Sequence, residues 1–228
     1  MDKKIFIGEI KSNSNFLYLD NYQFLEIGDC IIQFQKNMKE NGYELTFQYH
    51  ESADDKGYFF RVNAVSASKR FNTIEKEIQK ILGGNLINYY TIHIKPDINV
   101  IPKHLEHDNF LQNISYHIRD EKNVILFLEF VKTFYHQTAI PFFEKFNNIN
   151  AVNEQLKNLL EAKKIQSLLT DSGGNSAILR YYAIGLMCNN QFVINFFNNI
   201  YYPYIFQQKD KLSIIEYNHL IKLKNNIQ

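Results

Sequence analysis

The sequence predicts an α+β fold, with a mixed or antiparallel sheet and two helices in its first half and a stack of helical hairpins in its second. Three observations carry this. Short period-two runs of apolar residues occur before residue 120, Tyr43 to Tyr49 being the clearest. Broad stripes at helical spacing run from Val124 almost to the end. Turn-forming residues, Asp54-Asp55-Lys56-Gly57 and Asn189-Asn190, punctuate both halves. Alternation places successive side chains on opposite faces of a strand, whereas spacing of three and four keeps them on one side of a helix. The implied division is a sheet half over 1–119 and an all-helical half over 120–228, packed as one unit.

Taken in order, Ile5 and Ile7 suggest a first strand, and Phe16 to Leu19 either a further strand or part of an insertion. Ile31, Phe34 and Met38 suggest a helix over Asp29 to Glu40 that ends at Asn41-Gly42. Tyr43, Leu45, Phe47 and Tyr49 share one strand face, and Phe60, Val62 and Ala64 repeat the pattern beyond the Asp54–Gly57 turn, which predicts an antiparallel hairpin. Ile74, Ile78, Ile81 and Leu82 predict a helix over Thr73 to Leu82 stopped by Gly83-Gly84. Tyr90, Ile92 and Ile94 predict a strand stopped by Pro96, with His93 on its solvated face. That element order resembles the split βαβ arrangement of ferredoxin-like folds.

In the second half, Val124, Phe127, Leu128, Val131, Phe134 and Tyr135 mark an amphipathic helix that Pro141 should end or kink. Val152 to Leu160 open the next one, and Asp171 to Asn175 break the chain. Ile178 to Met187 and Phe192 to Tyr201 then form two stripes around Asn189-Asn190, the pattern of an antiparallel helical hairpin. Leu212, Ile215, His219 and Leu223 suggest a closing helix.

Composition narrows the function classes. The formal net charge is +1, and only Arg61, Arg70, Arg119 and Arg180 supply guanidinium groups, so no basic face points to nucleic acid as a partner. Cys30 and Cys188 are isolated in apolar surroundings and read as reduced core thiols. The first residues are too short and interrupted for a signal segment, and no run reaches the roughly 18 apolar residues that span a bilayer, so no membrane association and a cytoplasmic location are expected.

Two places invite a functional reading. His104-Leu-Glu-His-Asp108 concentrates imidazole and carboxylate groups, and His104, His107 and Asp108 are candidate ligands for a metal-dependent hydrolase. A solvated connector explains the same residues. The run Tyr201-Tyr-Pro-Tyr-Ile-Phe206 holds more large side chains than one inward stripe can bury. Tyr201, Tyr202, Tyr204 and Phe206 are therefore candidate anchors for another protein or a second copy of this one, unless they cover the rest of the chain. Asp54-Asp55 is assigned to a turn, Glu75 and Glu77 to a solvated helix face, and Ser172–Ser176 to a helix cap. No serine-hydrolase elbow or phosphate loop occurs, and no cofactor is implied.

Thr138-Ala-Ile-Pro-Phe-Phe-Glu-Lys-Phe146, followed by Ile149 to Leu156, resembles a segment of small uncharacterised bacterial cytosolic proteins of the domain-of-unknown-function or toxin-immunity type. The resemblance spans 138–156 and carries over no catalytic residue. Families of that kind include domains of unknown function and immunity proteins that neutralise toxins. The missing catalytic constellation, the helical stack and the surplus aromatics point to a non-enzymatic protein-binding module, an immunity or regulatory factor.

Overall fold

The computed structural model describes residues 1–83, 90–97, 102, 104–110, 113–171 and 176–228. The α+β class holds, with an antiparallel open sheet in the first half and a helical C-terminal region. The chain forms two compact units, each built from separated stretches: Met1–Asn37, Tyr43–Ala67 and Ile94–Phe142 in one, Met38–Gly42, Ser68–His93 and Phe143–Gln228 in the other.

The first unit opens with α1 (Lys3–Ser12) and α2 (Asn15–Leu19), followed by β1 (Gln23–Ile27) and β2 (Ile31–Asn37). This corrects three sequence expectations. Ile5 and Ile7 lie in a helix because the Asp2 carboxylate caps it, accepting from the Ile5 amide, and Phe6 and Ile10 then bury one helical face. Phe16 to Leu19 lie in α2. The helix expected over Asp29 to Glu40 is the strand β2, whose register with β1 runs from Gln23↔Gln35 to Ile27↔Ile31. Ile32 and Phe34 bury at a period of two, and the spacing of Ile31, Phe34 and Met38 is coincidental. The ferredoxin-like order gives way accordingly: two helices precede four consecutive strands.

The hairpin of β3 (Asn41–Asp54) and β4 (Gly57–Phe71) forms as expected, with the Asp54 carboxylate accepting from the Lys56 amide in the turn. Leu45, Phe47 and Tyr49 are buried and Gln48 and His50 exposed. In β4 the inward positions pass from Phe60 and Val62 to Val65 and Ala67, across Ala64, whose φ of 52° is the left-handed conformation of a bulge. The helix α3 (Asn72–Leu82) ends at Gly83, where φ is 59°. After it come β5 (Ile92–Ile94), β6 (His107–Phe110) and β7 (Asn113–Ile118), and the sheet order is β1-β2-β3-β4-β7-β6, with β5 paired to β4.

In the first unit α1 and α4 (Glu121–Phe134) cover one sheet face. Phe6 stacks on Phe60 with ring centres 4.3 Å apart, and Phe127 meets Phe47 edge-on at 5.1 Å. Each fully buried ring of this kind contributes about 2–3 kcal/mol. Pro141 does not end the helical ladder. The ladder widens to a π turn over Tyr135–Ala139, and α5 (Ile140–Lys145) continues with Pro141 as its second residue.

The second unit holds α6 (Ile149–Asn153), α7 (Leu156–Glu161), α8 (Ser176–Met187), α9 (Gln191–Phe196), α10 (Tyr202–Gln208) and α11 (Lys211–Ile227). The helical hairpin is α8–α9. Asn189 takes a positive φ, the Asn190 side chain caps α9, and Tyr182 stacks on Phe197 at 4.0 Å. A Cβ at Gly185 would overlap Val193, so only glycine lets the two helices approach this closely. Gly84 and Ser172–Asn175, assigned to stop and cap positions, lie outside the described residues.

Two buried polar groups order this unit. Glu75, expected on a solvated face, is 3% exposed and bound by Arg180, which is fully buried. Lys69 donates to the carbonyls of Phe146 (2.8 Å), Asn147 (3.1 Å) and Phe143 (3.4 Å), and burial pushes its ammonium down to about 8. Between pH 8 and the roughly 10.4 of an unfolded lysine, the unfolded chain therefore holds a proton that the folded chain has released, so stability rises with pH across that window. Urea unfolding at pH 7 and pH 9.5 should show the wild type gaining on the order of 2 kcal/mol relative to Lys69→Met. A pH-independent difference would place the amine in water.

Candidate functional site

The register of β4 and β7 sets Phe60 opposite Ile118 and Val62 opposite Tyr116 on the helix-covered face, and Arg61 opposite His117 on the other. On β6, His107 faces Tyr116 and Asp108 faces Ser115, so these neighbouring residues point to opposite sides of the sheet. His104 lies in an exposed turn, and Nδ1 of the exposed His107 is 3.2 Å from the Leu105 carbonyl. The three ligands suggested by sequence density do not converge, because a strand cannot present two successive side chains to one ion.

Strand pairing instead assembles a different group around Asp108. Its carboxylate accepts from Arg61 at 2.7 Å and lies 3.1 Å from His117 Nε2. Glu106 is held by Lys56 at 2.9 Å and Arg119 at 3.1 Å, and Asp54 accepts from both terminal nitrogens of Arg119. Hydrogen bonds from Arg119 lower the Asp54 carboxyl, and those from Lys56 and then Arg119 lower Glu106. The Phe59 ring lies 4.4 Å from His117 and 4.6 Å from the Arg119 guanidinium.

Asp54, Glu106 and His117 bring three ligand-type atoms within 4.8 Å of one another, the only such group of three among the described residues. Donor types suit a transition metal. The electrostatics oppose one: three carboxylates (Asp54, Glu106, Asp108) face three fixed cations (Lys56, Arg61, Arg119), and an entering ion would have to displace Arg119 from Asp54 and Lys56 from Glu106. Ser115, His117 and Asp108 also offer the residue types of a hydrolytic triad. The Ser115 side chain is fully buried and His117 turns Nε2 toward Asp108, so no substrate carbonyl can reach the hydroxyl.

The aromatic run divides. Tyr202 packs edge-on against Tyr182 and Tyr217, and the half-buried Tyr201 donates its hydroxyl to Glu216. Burial raises both phenols well above the ordinary tyrosine range. Ile205 is buried, whereas Tyr204 is 58% and Phe206 69% exposed. Ile200, Leu212, Ile214 and Ile215 are exposed beside them in sequence. The hairpin of α10 and α11 thus leaves on the order of 600 Å² of large apolar side chain in water, taking about 200 Å² for each complete side chain. Leu212, Ile214 and Ile215 were missed as surface residues because the stripe through Leu212, Ile215, His219 and Leu223 reads as core. In α11 the buried positions are Leu220 and Leu223.

No protein family, curated protein or solved structure matches the chain. No helix among the described residues is long and apolar enough to cross a membrane.

Charge balance makes a definite prediction. Zinc or manganese titrated into the purified chain, followed by desalting and elemental analysis, should leave no stoichiometric metal, and His104→Ala and His107→Ala should change nothing. One equivalent retained by the wild type and lost in His117→Ala would show that an ion does displace Arg119.

Proposed function

We propose that the chain is a non-enzymatic protein-binding module that acts in the cytoplasm, as an immunity or regulatory factor or as one half of a homodimer, through the α10–α11 hairpin. The observation that carries this reading is the concentration of exposed large apolar residues on a hairpin anchored from beneath. Tyr202, Ile205 and the Tyr201–Glu216 bond hold the helix in place, so Tyr204 and Phe206 stand on a rigid support. Preorganised aromatic side chains lose little conformational freedom on binding and are favoured anchors. The resemblance of 138–156 to small uncharacterised bacterial proteins of the domain-of-unknown-function or toxin-immunity type is compatible with the same reading.

A metal-dependent hydrolase is the rival, and Asp54, Glu106 and His117 are the group that favours it. Their existing ion pairs count against it.

Binding and folding separate cleanly by residue. Tyr204→Ala should leave the urea midpoint unchanged, and Phe206→Ala should lower it only slightly through its ring contact with Tyr217 at 5.9 Å. Both should weaken capture of the partner, or self-association in sedimentation, by about tenfold or more. Tyr202→Ala should instead destabilise the fold by about 3 kcal/mol through the cavity it leaves. Undiminished association in both exposed-site variants would remove the hairpin as the contact.

A further inference from the structure

The first unit carries a second recognition feature, independent of the α10–α11 hairpin. β1 is an end strand of the sheet: its inner edge pairs with β2, and its outer edge pairs with no described residue. In an antiparallel strand alternate residues turn their N–H and C=O groups away from the partner, so this edge holds unused hydrogen-bonding groups in water. Exposed edges are usually blunted by proline, lysine, a bulge or a covering segment. β1 contains neither proline nor lysine, and Leu25 and Ile27 are 39% and 45% exposed. Its one charge, Glu26, is already bound by Lys3 (3.2 Å) and the Tyr49 hydroxyl (2.8 Å).

α1 runs alongside this edge. Lys3 bridges to Glu26 and Asp29 near one end of β1, and Lys11 reaches over the Phe24 ring at 5.8 Å near the other. Two open depressions follow the same boundary, one of about 640 Å³ bordered by Lys3, Lys4, Ile7, Glu26, Gly28 and Asp29, with Lys3 already paired to both carboxylates, the other of about 670 Å³ bordered by Gly8, Lys11 and Phe24. Lys4, Gly8 and Lys11 recur at helical spacing on one flank of α1, facing this trough. Glycine in a helix interior costs about 1 kcal/mol relative to alanine. A Cβ at Gly8 would meet nothing within 4 Å, so internal packing does not require the glycine. Its effect is to keep the helix flank low above the trough. Lys4 and Lys11 are exposed and pair with no carboxylate among the described residues.

We propose that this trough is a strand-addition site that takes an extended acidic segment of a partner protein. The segment would hydrogen-bond along β1 as an eighth strand and set aspartate or glutamate side chains against Lys4 and Lys11. The backbone edge demands an extended ligand, the open flank at Gly8 admits it, and the unpaired lysines select its charge.

The test is selection of a random-peptide phage library on the full chain, followed by affinity measurements with the recovered peptides and amide hydrogen exchange. Recovered sequences should alternate acidic and apolar residues and slow exchange in 23–27. They should bind Gly8→Leu, and separately the double variant Lys4→Glu/Lys11→Glu, roughly tenfold more weakly. Leucine is the better helix former, so Gly8→Leu should be at least as stable as the wild type, and its loss of binding cannot be attributed to unfolding. Recovery of no peptide, or of peptides indifferent to Gly8→Leu, overturns the proposal. So does protection of 23–27 that appears without peptide and grows with protein concentration, which would make a second copy of the chain the occupant.

Discussion

The second unit depends on one buried ion pair. The Glu75 carboxylate of α3 accepts from Nε and Nη2 of Arg180 on α8 at 2.9 and 2.7 Å, and from the Thr91 hydroxyl at 2.8 Å. Arg180 also donates to the Thr170 carbonyl, and the Thr170 amide donates to the Thr91 carbonyl at 3.0 Å. The bonds close a ring through four residues drawn from a helix, the bend before β5, a connecting segment and a second helix. Two opposite charges removed from water are costly unless their hydrogen bonds are satisfied. That condition admits few arrangements of α3 and α8, which is how a charge pair fixes geometry that apolar contacts alone would leave looser. The α8–α9 hairpin, and through it α10 and α11, is built outward from this fixed point.

Much of the architecture was legible because its signals are local. The stripe through Ile74, Ile78, Ile81 and Leu82 and the glycine after it define α3, and the Asp54–Gly57 turn defines the long hairpin. The stripes around Asn189-Asn190 define α8 and α9. Errors fell where a local pattern had two solutions. Ile31, Phe34 and Met38 fit a helix, yet Ile32 and Phe34 also fit a strand, and pairing with β1 and β3 decides between them. At Ile5 and Ile7 alternation was overruled by a single capping aspartate. Glu75 looks solvated because the residue that neutralises it lies 105 positions away.

The candidate site repeats this lesson in chemical terms. Local density singled out His104, His107 and Asp108, but strand geometry sends His107 and Asp108 to opposite faces. The group that does converge takes Glu106 and Asp108 from that dense run, but Asp54, Lys56, Arg61, His117 and Arg119 join them from elsewhere in 54–119, where no density signal marks them. Its charges cancel, so its chemistry suits holding a turn and two strands together better than activating water. The aromatic run was legible as a surplus. Only the structure divides it into Tyr201 and Tyr202, which anchor the helix, and Tyr204 and Phe206, which face solvent.

The most direct test of this account is a double-mutant cycle on Glu75→Gln and Arg180→Met, read by urea unfolding. Each single change strands a buried polar or charged partner and should cost about 3–5 kcal/mol. The double variant should lose far less than the sum, giving a coupling of about 2 kcal/mol or more. Additive losses, or single variants as stable as the wild type, would contradict the claim that this pair fixes the helical unit.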